Sequence, residues 1–157
     1  MGTEIERKFL VNGDAWREGA QRLECAQGYL TTGPPVSVRV RTMGDRAMLT
    51  VKSGRSGITR AEYEYTIPVD DARELLATAC CSAVIEKTRH LVQHAGMTWE
   101  VDEFHGDNEG LLVAEIELET EDQPFESPPW IGEEVSLDPR YLNSSLSQHP
   151  YSEWRDA

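Results

Sequence analysis

Residues 4–10 read Glu-Ile-Glu-Arg-Lys-Phe-Leu, and the character of this stretch decides which fold the rest of the chain is expected to adopt. Successive side chains of a β-strand point to opposite faces of the sheet. Glu4, Glu6 and Lys8 therefore share one face of a predicted strand, while Ile5 and Phe9 lie on the other. A strand of this kind is expected in an open sheet with a solvated face or in a barrel with a charged interior.

The same alternation recurs along the chain and predicts further strands. Seven segments combine β-branched or aromatic residues with a period near two, and Gly, Pro, Asp or Asn separate them. They are residues 3–11, 36–43, 46–53, 60–68, 83–93, 97–105 and 111–120. Short connections between several of these segments favour antiparallel meanders over parallel crossovers.

Helices are predicted to be few and short. Residues 14–20 and 70–79 have helical patterns, and the second begins with an aspartate suited to the N-cap. Residues 121–130 contain three prolines and are predicted to form an ordered crossing loop. A last helical stretch is expected from Ile131, and another run begins at Asp138.

The charge balance limits the partners of the protein. The 157-residue chain has 28 acidic and 15 basic residues, which gives a formal net charge of −13. Nucleic acid and anionic membranes are therefore not expected as partners. The length predicts a single domain over residues 1–157. The chain shows neither a signal-peptide pattern nor an apolar run near the roughly 20 residues that span a bilayer, so we expect a cytoplasmic protein.

Ionisable groups of definite sign fill one face of nearly every predicted strand. The basic members are Lys8, Arg39, Arg41, Lys52, Lys87 and Arg89. The acidic members are Glu4, Glu6, Glu62, Glu64, Asp102, Glu115 and Glu117. A solvated sheet face explains any single pair, but like charges two residues apart repel each other on the same face. The whole set favours a sheet closed into a barrel, with a charged, water-filled interior and apolar faces packed outward against helices.

Such an interior has the groups needed for metal-assisted phosphoryl transfer. Clustered cations, and arginine forks above all, suit the oxygens of a phosphate chain. Paired carboxylates are hard oxygen donors that accept Mg²⁺ or Mn²⁺ together with substrate phosphates.

The order of these motifs resembles one known family. Glu-x-Glu-x-Lys at residues 4–8 is followed by Arg-Val-Arg at residues 39–41 and by Glu-Ile-Glu at residues 115–117. Further matching segments are residues 27–30, 50–52, 60–64, 87–89, 99–104, 132–135 and 141–146. The chain is thus similar over its whole length to the CYTH superfamily, the triphosphate tunnel metalloenzymes.

The resemblance implies an α+β fold, mainly antiparallel β, in which eight strands close into a tunnel with helices outside. It implies phosphate binding by Lys8, Arg39, Arg41, Lys52, Lys87 and Arg89. It implies that Mg²⁺ or Mn²⁺ binds to Glu4, Glu6, Glu115 and Glu117, with Asp102 helping to hold a second ion, and that Glu62 and Glu64 line the opposite wall. Lys8 and Tyr29 are the implied catalytic residues.

For the activity, the resemblance implies hydrolysis of tripolyphosphate to pyrophosphate and phosphate. Three alternatives stay open at this stage: a class IV adenylyl cyclase, a thiamine or nucleoside triphosphatase, and a module that binds polyphosphate or nucleotide without turnover. A homodimer is a further expectation from the family. Residues 53–57 are predicted to form a hairpin loop at the tunnel rim, where Arg55 and Arg60 guide the substrate inward.

Overall fold

The computed structural model describes residues 2–156, and strands dominate this part of the chain. The strands are β1 (Glu4–Val11), β2 (Gln21–Thr31), β3 (Val36–Met43), β4 (Arg46–Ser56), β5 (Thr59–Thr66), β6 (Ile85–His94), β7 (Met97–Phe104), β8 (Leu112–Glu117) and β9 (Ile131–Glu134). The α-helices are α1 (Val69–Thr78) and α2 (Asn143–Leu146). Short 3-10 helices cover Ala15–Arg17, Gly106–Asn108, Pro139–Tyr141 and Tyr151–Glu153.

Eight antiparallel strands close into a barrel, as predicted. The strand order is β5-β4-β3-β2-β6-β7-β8-β1, and β1 pairs with β5 to complete the circle. The short strand β9 lies on the same edge of β1 as β5, because Phe9 pairs with Ala114 of β8 on one side and with Glu134 of β9 on the other.

Apolar residues cover the outside of the barrel on two sides. Phe9, Trp99 and Ile116 project outward and pack in one buried cluster with Trp130, which ends the crossing loop. On another side, α1 packs over β3 and β4, where Ala72 meets Val40 and Ala47. The outward face therefore supplies hydrophobic stabilisation, and the inward face is left for charged groups.

One end of the interior is closed by apolar side chains. Strand alternation places Ile85 on the same face as Lys87, and Phe104 on the same face as Asp102. Both side chains are buried in one cluster with Val113, Tyr141 and Leu146. We call this cluster the apolar plug. Tyr141 and Leu146 of the C-terminal segment thus pack against the inward-facing side chains at this end of the barrel.

Three local predictions were wrong. The stretch from Ile131 forms β9 instead of a helix, because it pairs with the C-terminal half of β1. Residues 14–20 form only the 3-10 turn Ala15–Arg17, which buries Trp16 against the barrel. Strand β2 (Gln21–Thr31), which lies between β3 and β6, is absent from the predicted strands.

The start of α1 differs from the prediction by one or two residues. Pro68 holds the N-cap position, and Asp70 and Asp71 lie in the first turn. Both aspartates still face the positive end of the helix dipole, so the acidic start of the helix keeps its electrostatic role. Among residues 2–156, no helix is long and apolar enough to cross a bilayer.

The outer cluster around Ile116 should carry much of the stability. We expect Ile116→Ala to lower the free energy of unfolding by about 2–5 kcal/mol, because it leaves a cavity at a fully buried position. Leu137→Ala is the matched control, since Leu137 is 69% exposed and its truncation should cost less than about 0.5 kcal/mol. Urea unfolding of the two variants measures both values, and equal losses would show that the outer cluster is not the main apolar core.

Candidate active site

A cavity of about 250 Å³ occupies the charged interior of the barrel. It is lined by inward-facing side chains of the barrel strands and by residues of the C-terminal segment. The predicted site residues that line it are Glu4, Glu6, Lys8, Tyr29, Arg39, Arg41, Lys52, Glu62, Glu64, Arg89, Glu115 and Glu117. The structure therefore brings together side chains that are separated by more than 100 positions in the sequence.

Arg39 and Arg41 of β3 place two guanidinium groups side by side on one wall. Each lies 3.7 Å from a single carboxylate, that of Glu64, and the Nε atoms of both are buried without a hydrogen-bond partner. Burial and the neighbouring Arg39 lower the pKa of Arg41 to about 10. Two cations that share one acid and retain free donors form a binding site for an anion.

Lys52 lies between two carboxylates on the adjoining wall. Its Nζ donates to both oxygens of Glu4, at 2.9 and 3.1 Å, and lies 3.4 Å from Glu62. Burial and the charge of Glu4 raise the pKa of Glu62 to about 6. The ammonium group therefore holds two acids that would otherwise repel each other.

Acidic groups crowd the wall that β1 and β8 form. Glu6 stands directly opposite Glu117 on the paired strands. Burial, Glu115 and Glu4 raise the pKa of Glu6 well above its usual value. Like charges opposite each other destabilise a strand pair unless a cation lies between them. This wall has more negative charge than its own basic residues offset.

Lys8 provides the cation closest to these acids. It pairs with Glu115 across the strands, and its buried Nζ donates to the carbonyl oxygen of Tyr141 at 3.4 Å. Burial lowers its pKa, but Glu115 and Glu6 outweigh this effect, so the pKa of Lys8 is raised. Although burial opposes ionisation of Glu115, Lys8 holds the pKa of that carboxyl below its usual range.

Lys87 and Asp102 do not line the cavity and lie between it and the apolar plug. Asp102 accepts from Lys87 at 2.7 Å and from two nitrogens of Arg89 at 2.8 and 3.0 Å. Both Lys87 and Asp102 are buried almost completely. Arg89 reaches the cavity, but its remaining fork donates to Glu100 at 2.9 Å. These four residues form a neutral ion cluster, in which Arg89 and Glu100 are part of the cavity floor and Lys87 and Asp102 lie beneath it.

Several residues that line the cavity were not predicted from the sequence as site residues. Glu100 could have been found, because it lies two residues before Asp102 on the same strand face. Ser136, Asn143 and Ser144 could not, because no strand pattern marks these residues of the C-terminal segment as facing the interior. Their position depends on how the chain end packs against the barrel.

Comparison of the sequence with models of known protein families identifies the family to which this barrel belongs. The model of the CYTH domain matches residues 2–151 of the chain. The chain belongs to the CYTH family. The family resemblance of the sequence motifs is thereby confirmed, and the charged cavity is the interior of a CYTH barrel.

Two named proteins are similar in sequence to this CYTH protein over nearly its whole length. A protein of Acetivibrio thermocellus named inorganic triphosphatase is 52% identical over 156 residues, which covers 99% of this chain and 100% of the relative. One of Nitrosomonas europaea with the same name is 40% identical over 150 residues and 97% of its length. A crystal structure described as the inorganic triphosphatase NE1496 has a TM-score of 0.67 and 38% identity, with 94% and 95% of the two chains covered.

The acidic wall has the donor chemistry that a hard divalent cation requires. Glu4, Glu6, Glu115 and Glu117 are oxygen donors that line one cavity. Burial, and after it the charges of Glu115 and Glu4, raise the pKa of Glu6 there. Within residues 2–156, no three acidic, His or Cys side chains form a ligand group. Glu4 accepts a hydrogen bond from Lys52 instead. The residues are therefore of the kind that a hard divalent cation accepts and line one cavity, but they are not drawn together into a ligand group in this arrangement.

The buried ion cluster predicts a stability effect that does not depend on metal. We expect Asp102→Asn, measured in chelator, to lower the free energy of unfolding by about 3–5 kcal/mol, because Lys87 and Arg89 lose their buried counter-charge. Asp107→Asn, on the exposed turn after β7, is the control and should change stability by less than about 0.5 kcal/mol. Denaturant unfolding tests both. An unchanged stability together with weaker metal binding would instead assign Asp102 to the metal.

Proposed function

We propose that this CYTH protein hydrolyses inorganic triphosphate to pyrophosphate and phosphate with a bound divalent cation, Mg²⁺ or Mn²⁺. The observation that carries the proposal is the cavity itself, in which free arginine donors on β3 face an uncompensated acidic wall on β1 and β8. The 52% identity to an inorganic triphosphatase over the full chain supports the same activity.

In this proposal, Arg39 and Arg41 bind the non-bridging oxygens of the phosphate chain. Their Nε atoms have no hydrogen bond to break but are shielded from water, so the two side chains turn when these atoms bind the substrate. Lys52 is committed to Glu4 and Glu62, so it binds phosphate only when these acids turn toward a cation. Arg89 contributes positive charge from the floor, while its donors stay on Asp102 and Glu100. Lys87 supports Arg89 through Asp102.

Glu4, Glu6, Glu115 and Glu117 would hold the cation. A divalent ion there supplies charge neutralisation for the phosphate oxygens and makes a nearby water more acidic. Glu62 and Glu64 hold the basic side chains of the opposite wall in place, through Lys52 and through Arg39 and Arg41. The acids thus have two roles, cation binding on one wall and orientation of cations on the other.

Lys8 and Tyr29 are the proposed catalytic residues. The raised pKa of Lys8 means that this residue stays protonated and acts as a fixed positive charge beside the acidic wall. The phenol of Tyr29 lines the cavity and lies close enough to Lys8 to interact with its charge. In the proposed step, water attacks the terminal phosphorus and the bridging P–O bond breaks. Arg39 and Arg41 stabilise the negative charge that develops on the leaving pyrophosphate.

A substrate panel tests the function directly. Phosphate release is measured from tripolyphosphate, ATP, thiamine triphosphate and pyrophosphate with Mg²⁺, Mn²⁺ and Ca²⁺, alongside an assay for cyclic AMP. We expect tripolyphosphate to be the preferred substrate and pyrophosphate to accumulate. A preference for ATP with a cyclic product would overturn the proposal, and tight binding of tripolyphosphate without turnover would favour a binding module.

The metal assignment predicts loss of activity on the acidic wall. We expect Glu4→Gln and Glu117→Gln each to reduce phosphate release from tripolyphosphate by about 100-fold or more, because each removes a charged oxygen ligand. Glu119→Gln is the matched control, since Glu119 is exposed, follows Glu117 at the end of β8 and does not line the cavity. Steady-state assays over a range of Mg²⁺ concentrations measure the effect, and activity equal to that of Glu119→Gln would rule out these ligands.

The catalytic assignment predicts an effect on turnover from a single hydroxyl. We expect Tyr29→Phe to lower kcat by about 100-fold if the phenol takes part in proton transfer. Tyr63→Phe removes the same group from the exposed outer face of β5 and should leave kcat unchanged. Rapid-quench measurement of the chemical step separates this effect from product release, and a kcat within twofold of the Tyr63 variant would make Tyr29 a structural residue.

A further inference from the structure

The cavity continues into a neighbouring surface pocket at the β4–β5 hairpin. The residues that line both spaces are Ser37, Arg55, Arg60, Leu142 and Ser144. We call these five residues the rim. A molecule that enters or leaves the cavity on this side passes Arg55 and Arg60.

The two rim arginines stand directly opposite each other on paired strands. Arg55 of β4 and Arg60 of β5 are register partners next to a bulge in the hairpin. Like charges in this position destabilise a strand pair. Burial and the positive charge of Arg60 lower the pKa of Arg55, because the two guanidinium groups repel each other. Such a pair is stabilised when an anion lies between its members.

Among residues 2–156, no carboxylate forms an ion pair with either arginine, although Glu6 and Glu4 act on Arg55 from a distance. Arg55 donates only to backbone carbonyls, those of Gly57 and Ser136, each at 3.1 Å. The Nε of Arg60 is buried and has no hydrogen-bond partner. Its register partner on β1 is Glu4, whose carboxylate is bound to Lys52. The rim therefore has two cations with donors to spare, one of them with its Nε shielded from water.

The surroundings of the rim suit an inorganic group better than a nucleoside. The adjoining pocket is lined by residues 32–35, Gly54, Ser145 and Gln148 in addition to the rim. None of these lining residues is aromatic, so a base has no ring to stack on. Ser37 and Ser144 add hydroxyl groups that can donate to phosphate oxygens.

We propose that Arg55 and Arg60 form a subsite for the free terminal phosphate of inorganic triphosphate, and that this subsite selects inorganic triphosphate over nucleoside triphosphates. The inference rests on the proposed function. A free terminal phosphate has a charge of about −1.5 to −2 near pH 7 and three oxygens for two arginine forks. A nucleotide that binds with its esterified end at the rim places its α-phosphate there. One oxygen of that phosphate carries the nucleoside and its charge falls to about −1, so the rim loses both contacts and attraction.

The test compares rim variants on the full-length protein. Arg55→Gln, Arg60→Gln and the double variant are assayed for KM and kcat with tripolyphosphate, and their affinities for tripolyphosphate and ATP are measured by calorimetry in chelator. Arg46→Gln is the matched control, because Arg46 is an exposed arginine at the opposite end of β4 and lies outside the cavity. Melting temperatures show whether each variant is folded.

For the double variant we expect KM for tripolyphosphate to rise at least about tenfold, as for the loss of one charged hydrogen bond, with kcat within about threefold. The affinity for ATP should change by less than about twofold, and Arg46→Gln should behave as wild type. Arg55→Lys/Arg60→Lys keeps the charge but loses the forks, so its KM should stay raised.

An unchanged KM, or an equal loss of affinity for tripolyphosphate and ATP, would overturn the subsite. If ATP binds to none of the proteins, KM for tripolyphosphate alone decides. A wild-type protein that releases no phosphate from tripolyphosphate would contradict the proposed function instead. In that case the calorimetric affinities of the variants for tripolyphosphate decide the rim proposal independently.

Discussion

The pairing of buried charges across neighbouring strands is the constraint on which the rest of the site depends. An isolated ionised group costs several kcal/mol or more to bury, so every charge in the barrel needs a partner or a ligand. The cluster of Lys87, Asp102, Arg89 and Glu100 satisfies this requirement within the protein. Because it is neutral and closed, it gives the cavity a fixed floor above the apolar plug and leaves the walls free to bind other ions.

The walls are not balanced in this way, and the imbalance separates two kinds of ligand. The acidic wall of β1 and β8 places Glu6 opposite Glu117 and attracts a cation. The arginine wall of β3 has Nε donors without partners and attracts an anion. A metal ion bound to a phosphate chain satisfies both walls at once, whereas either ion alone leaves one wall uncompensated. The unpartnered arginine donors and the crowded carboxylates of the cavity thus favour a metal–phosphate substrate over a simple cation or anion.

The apolar plug and the charged rim meet at the C-terminal segment, where Tyr141 belongs to the plug and Leu142 to the rim. Ile85, Phe104 and the C-terminal Tyr141 close one end with apolar contacts. The hairpin of β4 and β5 places Arg55 and Arg60 at the rim on another side. The hydrophobic contacts of the C-terminal segment stabilise the barrel and also bring Ser136, Asn143 and Ser144 to the cavity. The cavity lining is therefore complete only when the C-terminal segment is packed against the barrel.

The sequence by itself determined which side chains face the interior, because strand alternation assigns a face to each residue once a strand is recognised. In this way most of the predicted charged residues were assigned to the face that lines the cavity, and their number favoured the closed barrel. Alternation does not give depth along the barrel or the neighbour across it, so only the tertiary structure separated Lys87 and Asp102, which neutralise each other below the floor, from Arg39 and Arg41, which remain available. The same holds for β9 and the C-terminal residues, whose positions depend on long-range packing: pairing with β1 overrode the local helical signal at Ile131.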